Sequence, residues 1–239
     1  MKSVSLNDNP SKIVLIGDSL SMLRPSENIS FNDTYVFKLT KMGYCVIDRS
    51  IRASTTESVL KVTTWDMFCL DSDYYILHLG VCDCAPRIFK SWEYKILNIM
   101  NDLPVLSIIS NFLYSYLSSR RYYYTKKRGI QNVSYDDFCI NMQKIIDLIR
   151  GNNKNNKKII INNIVSPGSH WLKKSFRVLE LIQLYNGFLC KLQQNSDDIR
   201  IIDLFDFTSR NPHYVLSDGH HISKEVHDFI CSEVIKIIS

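Results

Sequence analysis

Five short runs of apolar, largely β-branched residues recur along the 239-residue chain and constrain its fold more than any other feature. The runs are Lys12–Ile16, Tyr44–Ile47, Tyr74–Leu79, Lys158–Val165 and Ile199–Leu204. Hydrophobicity that is nearly continuous, without alternation, is typical of strands buried on both faces of a parallel sheet. Helical patterns separate the runs. The sequence therefore predicts an α/β fold, a three-layer α/β/α sandwich around a central five-stranded parallel sheet.

The helical patterns supply the two outer layers of this sandwich. The predicted helices are Asp33–Met42, Thr56–Val62, Phe89–Met100, Tyr135–Ile149, Leu172–Gln194 and Lys224–Ile238. Ser134 is a residue type favoured at an N-cap, and the acidic Asp136 and Asp137 follow in the first turn, where the helix dipole favours them. Right-handed crossovers place the carboxyl ends of all parallel strands, and so any site, along one edge of the sheet.

The composition fits one globular domain over residues 1–239, since the chain is 45% hydrophobic and long enough to bury a sizeable core. A net charge of +5 is only mildly basic, and no nucleic-acid fold motif accompanies it, so no nucleic-acid partner is expected. The first apolar run, Ile13–Ile16, is too short for the core of a signal peptide, and no run reaches the length of about 18 residues expected of a membrane span. We expect a cytoplasmic protein without stable membrane insertion, and the oligomeric state stays open.

Residues 102–133 form an aromatic and basic insertion in the alternating pattern. Pro104–Tyr124 carries apolar and aromatic residues at helical spacing, and the basic Lys126–Arg128 follow. We predict a core or flap helix followed by a solvated loop. A substrate lid, or a patch for an anionic polymer, is the alternative, because aromatic and basic residues together suit such ligands.

The seven cysteines are an odd number, scattered among apolar stretches, which indicates free thiols rather than a disulfide framework. Cys82 and Cys84 are separated by one residue, and no second ligand pair accompanies them. Neither a metal nor another cofactor is therefore expected.

Two motifs at opposite ends of the chain carry candidate chemistry. Gly17-Asp-Ser-Leu20 follows the first predicted strand, so Ser19 lies at the sheet edge, where backbone N–H groups can face a developing oxyanion. A serine needs a base to act as a nucleophile. Asp218-Gly-His-His221 precedes the last helix, and an Asp three residues before a His can hold its tautomer while the other ring nitrogen faces the serine.

In this order, the two motifs resemble the SGNH, or GDSL, hydrolase superfamily, whose flavodoxin-like fold would cover the chain from Gly17 to His221. The resemblance implies that Ser19 is the nucleophile and His221 the base, with Asp218 as its partner. His220 is adjacent to the base but out of register. We count it among the candidate substrate-binding residues, together with Asp18, Asp83 and Arg87.

The two middle motifs of the superfamily match less closely. Ser19 and Ala53 would donate backbone N–H groups to the oxyanion hole, but Ala53 stands where the family has glycine. An alanine there is strained if the position requires positive φ. Cys82 replaces the asparagine that would supply the third donor, and a thiol is a weak donor. Arg87 is a candidate substitute donor; a structural salt bridge with Asp83 is its alternative role.

The resemblance implies a serine esterase or deacylase. Gly80-Val-Cys-Asp-Cys-Ala-Pro-Arg87 is similar to a subgroup associated with bacterial polysaccharide loci, which suggests an O-acylated carbohydrate, a surface polysaccharide or its precursor, as the ester substrate. Three alternatives remain open: an O-acyltransferase with the same triad, a catalytically silent binding module, and a phospholipase-like enzyme that meets lipid through the aromatic segment.

Overall fold

The computed structural model describes residues 10–62, 72–151 and 157–239; Cys69 and most of the polar Gly151–Lys158 loop lie outside these ranges. The strands are β1 (Lys12–Gly17), β2 (Cys45–Asp48), β3 (Tyr74–His78), β4 (Lys158–Asn162) and β5 (Ile199–Ile202). They form one sheet in the order β2-β1-β3-β4-β5, and every neighbouring pair is parallel. The predicted five-stranded parallel sheet is confirmed.

Helices cover both faces of the sheet. They are α1 (Tyr35–Lys41), α2 (Thr56–Val62), α3 (Val81–Cys84), α4 (Ser91–Asn101), α5 (Pro104–Ser119), α6 (Arg121–Arg128), α7 (Tyr135–Gly151), α8 (Ser169–Lys174), α9 (Val178–Gln194), α10 (Leu204–Arg210) and α11 (Lys224–Ile238). Because the chain steps from β1 to β2 and then returns towards β5, right-handed crossovers place α1 on one face and α2, α7 and α9 on the other. The packing agrees: α1 contacts α11, while α7 contacts both α2 and α9.

Two predicted strands extend too far in sequence, because residues at the end of each predicted run leave the sheet and form the hydrogen-bonded turn at the start of α10. Asp203, placed in the β5 run, is the N-cap of α10, and its carboxylate accepts the N–H of Asp206 at 2.9 Å. Asn163, placed in the β4 run, holds the same turn through a 2.8 Å bond to Asp203 and a 3.0 Å bond from Phe205. Side-chain capping therefore ends both strands at the sheet edge.

The predicted single helix Leu172–Gln194 is wrong, because the chain breaks between α8 and α9. Ser175 is extended, and Arg177 has a positive φ of 56°. The break is held from outside: the N–H of Phe176 donates to Thr125 on α6 at 3.0 Å, and Arg121 donates to the Ser175 hydroxyl at 3.0 Å. Contacts with the inserted α6 replace the helical hydrogen bonds at this position.

The insertion forms two helices, so the predicted solvated loop at Lys126–Arg128 is wrong; these residues close α6. Arg128 anchors the turn by a two-point ion pair with Glu93 of α4, at 2.6 and 2.8 Å. Helix α5 has one buried residue, Ser110, which donates to the carbonyl of Leu97 on α4 at 3.3 Å. Its outward face is apolar and exposed at Val105, Ile108, Ile109 and Phe112.

No helix within the described ranges has the length and apolar character needed to cross a bilayer.

Two phenylalanines, one in α5 and one in α7, are expected to differ strongly in how much their truncation destabilises the fold. Phe138 of α7 is 0% exposed and Phe112 of α5 is 72% exposed. We expect Phe138→Ala to lower the free energy of unfolding by about 3–5 kcal/mol, since it leaves a cavity in the main core. Phe112→Ala should change it by less than about 0.5 kcal/mol. Urea denaturation checks both; equal losses would contradict the exposed placement of α5.

Candidate active site

The nucleophile motif forms a tight turn at the carboxyl end of β1. Asp18 caps a 3₁₀ turn over Ser19–Ser21, and its Oδ1 accepts the N–H of Leu20 at 2.8 Å. A Cβ added at Gly17 would collide with the hydroxyl of Ser21, so the turn needs glycine at that position. The strand end thereby presents Ser19 at the sheet edge, as the sequence predicts.

Ser19, His221 and Asp218 form a continuous hydrogen-bonded chain. Ser19 Oγ lies 3.0 Å from His221 Nε2, although the two residues are 202 positions apart. His221 Nδ1 lies 2.6 Å from Asp218 Oδ2. The other oxygen of Asp218 accepts the backbone N–H groups of His220 and His221 at 3.1 and 3.0 Å. The loop before α11 therefore presents the imidazole to the serine with its second nitrogen already engaged.

Asp218 is held as a carboxylate. Burial by itself raises its pKa, but hydrogen bonds from the His221 ring and backbone, together with the nearby His220, lower it, and the lowering prevails. Arg24 adds an ion pair at 3.4 Å that no sequence motif indicated. An ionised Asp218 can stabilise the positive charge that His221 gains when it accepts a proton.

Two candidate oxyanion donors face the cleft beside Ser19. Among the described residues, the backbone N–H groups of Ser19 and Ala53 have no acceptor, and both residues line the cleft. Ala53 has a φ of 57°, in the left-handed region that favours glycine. The strain foreseen for alanine at this position is therefore present in the fold.

Replacing Ala53 with glycine should relieve this strain. A left-handed alanine costs about 1–2 kcal/mol, and the added freedom of glycine in the unfolded chain offsets about 0.4–1 kcal/mol of that gain. We expect Ala53→Gly to raise the free energy of unfolding by up to about 1 kcal/mol and to keep the backbone donor. Chemical denaturation measures the change. The reverse control is Gly219→Ala, which should destabilise, since Gly219 has a φ of 87° and an added Cβ would press on Trp171.

Three residues of the candidate set lie at or below the floor of the cleft. The carboxyl groups of Asp18 and Asp83 are 0% exposed, and neither residue lines the cleft. Asp83 Oδ1 accepts both the N–H and the hydroxyl of Thr56, at 2.9 and 2.6 Å, so it joins α3 to α2. Cys82 does line the cleft, and burial, followed by the charge of Asp18, raises the pKa of its thiol. The structure thus gives the two aspartates positioning roles and presents Cys82 as a neutral thiol.

Asp18 should make stability depend on pH. Burial raises its pKa from 3.8 to about 7. Between these two values the folded state keeps a proton that the unfolded chain releases, so the contribution is present at low pH and lost as pH rises through 7. We expect Asp18→Asn to gain stability relative to wild type from pH 4 to pH 8, by about 4 kcal/mol at most. Urea denaturation at each pH measures it. Asp33→Asn is the control of opposite sign, because hydrogen bonds from Ser30 lower the pKa of Asp33.

Ser19, His221 and Asp218 all line a cleft of about 460 Å³. Arg87 and His220 of the candidate set line it, and Arg87 makes no ion pair with Asp83. Burial, then the charge of His221, lowers the pKa of His220 to about 4, so it lines the cleft as a neutral ring. Sequence reasoning missed several lining residues, which come from the insertion and from α8: Ser118, Arg121, His170, Trp171 and Lys174.

Asp218, His220 and His221 also bring three potential metal-ligand atoms within 4.8 Å of one another. The hydrogen bond between His221 Nδ1 and Asp218 Oδ2 already occupies two of these residues. We therefore interpret the group as the acid–base part of the site.

Comparison with solved structures gives the same architecture. The lipase/acylhydrolase from Enterococcus faecalis aligns with a TM-score of 0.60 at 18% identity, covering 95% of each chain. A member of the lipolytic G-D-S-L family from Veillonella parvula aligns with a TM-score of 0.58 at 10% identity, covering 95% of this chain and 97% of the other. A variant of an acetyl-xylooligosaccharide esterase from Geobacillus aligns with a TM-score of 0.60 at 14% identity, covering 95% and 94%.

No protein-family model matches the sequence, and no curated protein matches it. The likeness to solved structures nevertheless spans nearly the whole chain. The resemblance in sequence motifs and the likeness in structure agree, and the chain has the fold of the GDSL lipases and acylhydrolases.

Proposed function

We propose that this protein is a serine esterase that removes an acyl group from an O-acylated carbohydrate through an acyl-enzyme. The hydrogen-bonded chain Ser19–His221–Asp218, at 3.0 and 2.6 Å, is the observation that carries the proposal. A nucleophile within reach of a base, and a base oriented by a carboxylate, is the arrangement that activates a serine hydroxyl.

The reaction follows from these positions. Ser19 Oγ attacks the acyl carbonyl carbon while His221 Nε2 takes the hydroxyl proton, and Asp218 stabilises the resulting imidazolium. The oxyanion turns towards the free N–H groups of Ser19 and Ala53. Collapse breaks the bond to the sugar oxygen, which leaves with the proton from His221. Water then attacks the acyl-enzyme with His221 again as base, and the acid is released.

Cys82 is the proposed third contact of the oxyanion. It lies on α3, at the position of the family's asparagine, and it lines the same cleft as Ser19 and Ala53. A thiol donates more weakly than an amide, so the enzyme is expected to be slower than a relative with a full set of donors.

Two observations support a sugar-sized ester. The cleft of about 460 Å³ is within the range of small-ligand pockets, and charged and polar side chains on its walls suit a hydroxyl-rich molecule. One of the structural neighbours is an acetyl-xylooligosaccharide esterase, an enzyme named for an acylated carbohydrate substrate.

A substrate panel tests the proposal. Wild type and Ser19→Ala are assayed with a chromogenic acetate ester and with acetylated monosaccharides, and free acetate is quantified. We expect acetate release by wild type alone. A folded wild type that releases no acetate from any of them, and that a fluorophosphonate does not label at Ser19, would favour the silent binding module.

The same panel separates hydrolysis from acyl transfer. With an acyl donor and a free sugar present, a hydrolase yields mainly free acid, whereas an O-acyltransferase yields acylated sugar through the same acyl-enzyme. More acylated sugar than free acid would replace the esterase proposal with the transferase.

A lipid ester is the second candidate, and the exposed apolar face of α5 is the observation that favours it. Ile108 and Phe112 are each 72% exposed, and exposed apolar patches commonly mark interaction surfaces. Sedimentation with phosphatidylcholine vesicles tests this candidate. If the wild type stays in the supernatant, as the Phe112→Ser variant is expected to do, the lipid candidate is contradicted.

A further inference from the structure

The wall of the cleft is strongly cationic. Arg87, Arg121 and Lys174 all line it. Asp218 is the sole acidic side chain among the described lining residues, and the triad already uses it. The charge of this wall is therefore not balanced from within the cleft.

The guanidinium of Arg87 forms few hydrogen bonds, although the side chain is partly buried. One hydrogen bond of its guanidinium is formed, a long one of 3.4 Å to the carbonyl of Cys82, and its buried Nε has no partner among the described residues. Asp83 lies nearby, but Thr56 engages one of its oxygens, and no nitrogen of Arg87 comes within ion-pair distance of it. A guanidinium offers five N–H donors, so most of the donors of Arg87 remain available.

Arg121 holds a second guanidinium on the same wall. It donates to the carbonyl of Pro86 at 2.6 Å, next to the peptide of Arg87, and to the hydroxyl of Ser175 at 3.0 Å. Both acceptors are neutral, so its charge is not neutralised either. Burial, and then the charge of Arg87, lowers the pKa of Arg121, which agrees with two like charges held close together.

Two guanidinium groups line the same cleft, and neither is paired with a carboxylate among the described residues. A guanidinium is the side chain best suited to bind carboxylate or phosphate oxygens. We propose that the ester substrate is anionic, with a carboxylate or phosphate group that Arg87 and Arg121 bind while the acyl group lies at Ser19. This inference rests on the proposed function, and it narrows the substrate class from a neutral acylated sugar to an acidic one. Lys174 adds positive charge at the rim and favours the approach of such a substrate.

Measuring substrate binding to a variant that cannot hydrolyse the ester tests the inference separately from catalysis. In the Ser19→Ala background, calorimetry compares an acetylated uronic acid with the acetylated neutral hexose of the same ring configuration. We expect the acid to bind on the order of ten- to a hundredfold more tightly, and more so at low salt. Arg87→Gln and Arg121→Gln should each remove most of this preference. Equal affinities for the acid and the neutral sugar would overturn the proposal.

The adjacent Arg120 provides the matched control. Its side chain is exposed, lies outside the cleft and bonds only to Tyr116, so Arg120→Gln removes the same charge and should keep the preference. If Arg120→Gln lost as much of the preference for the acid as Arg121→Gln, the preference would come from the overall positive charge of the protein, and the proposal would be overturned. Because Arg121 also supports Ser175, Arg121→Lys is measured beside it, with the thermal unfolding of each variant. A folded lysine variant that keeps no preference for a phosphate or carboxylate ligand supports two-point binding.

Competition identifies the anionic group. Inorganic phosphate, acetate and phosphatidylglycerol vesicles are each tested against the acetylated uronic acid on Ser19→Ala. Displacement by phosphate or by acetate in the millimolar range, lost in Arg87→Gln, supports an anion subsite for the corresponding group. Displacement by the vesicles alone would point to a lipid surface and overturn the assignment to an acidic sugar. If the wild type shows this binding but hydrolyses no ester, the subsite stands and the proposed activity falls.

Discussion

Replacing Ser19 and His221 together with alanine is expected to slow ester hydrolysis no further than replacing either one alone. Each single change should lower kcat on the order of 10⁶-fold, because the two residues act as one unit: the hydroxyl is not a nucleophile without the base, and the base has no proton to take without the hydroxyl. The residual rate would come from the oxyanion donors and from substrate binding. Steady-state kinetics on a chromogenic acetate ester measure all three variants.

The neighbouring His220 makes this prediction specific. It lines the same cleft, and its ring centroid lies 4.2 Å from that of His221. Its Nδ1 lies 3.5 Å from Asp218 Oδ1, and the Ser19 hydroxyl bonds to His221 and not to His220. His220→Ala should therefore cost far less than His221→Ala. Additive losses in the double variant, or an equally inactive His220→Ala, would contradict the assignment of the base.

Asp218→Asn is expected to lower kcat on the order of 10⁴-fold while the fold is kept. The carboxylate of Asp218 receives the Nδ1 proton of His221 at 2.6 Å and so directs Nε2 towards Ser19 as an acceptor. An amide in its place can donate to Nδ1 and thereby stabilise the opposite tautomer, which would point an N–H at the serine. Kinetics with thermal unfolding of the same variant separate this effect from loss of structure.

Arg24→Gln is the matched control for Asp218→Asn. Arg24 touches the same carboxylate at 3.4 Å but is not needed to set the tautomer, and it is partly exposed to solvent. Such an ion pair is worth about 1 kcal/mol or less, so we expect a loss of at most about tenfold. A loss in Arg24→Gln as large as that in Asp218→Asn would show that charge, rather than the tautomer of His221, is what Asp218 supplies.

The strands, and the residues of the proposed triad, could be predicted from the sequence because the signals are local or strongly patterned. A run such as Ile13–Ile16 is apolar on both faces, and only a central parallel strand buries both. Asp218 and His221 are three residues apart, so one turn of chain brings them together whatever surrounds it. The helices Thr56–Val62 and Lys224–Ile238 have the bounds that the sequence predicts, because each segment carries apolar residues at helical spacing.

The break between α8 and α9 could not be predicted in this way. Residues 172–194 have an uninterrupted helical period, yet Thr125 and Arg121 of the insertion bind the backbone and side chains at 175–176 and hold the chain extended. The outward face of α5 is a second case. Its apolar spacing is that of a core helix, but the face that packs on α4 is the one with Ser110 and Leu117, and many of its apolar residues stay exposed. Period alone does not say which face of a helix finds a partner.

The sequence by itself predicted the parallel sheet and the three residues of the proposed triad, because hydrophobic period and short motifs act over a few residues. Only the tertiary structure decided that Ser19 and His221, 202 positions apart, meet at 3.0 Å, and that Arg121 and Lys174 complete the cleft beside Arg87. These residues come from an insertion and from a broken helix, whose positions depend on long-range packing. The cationic character of the site therefore appears only once the chain is folded.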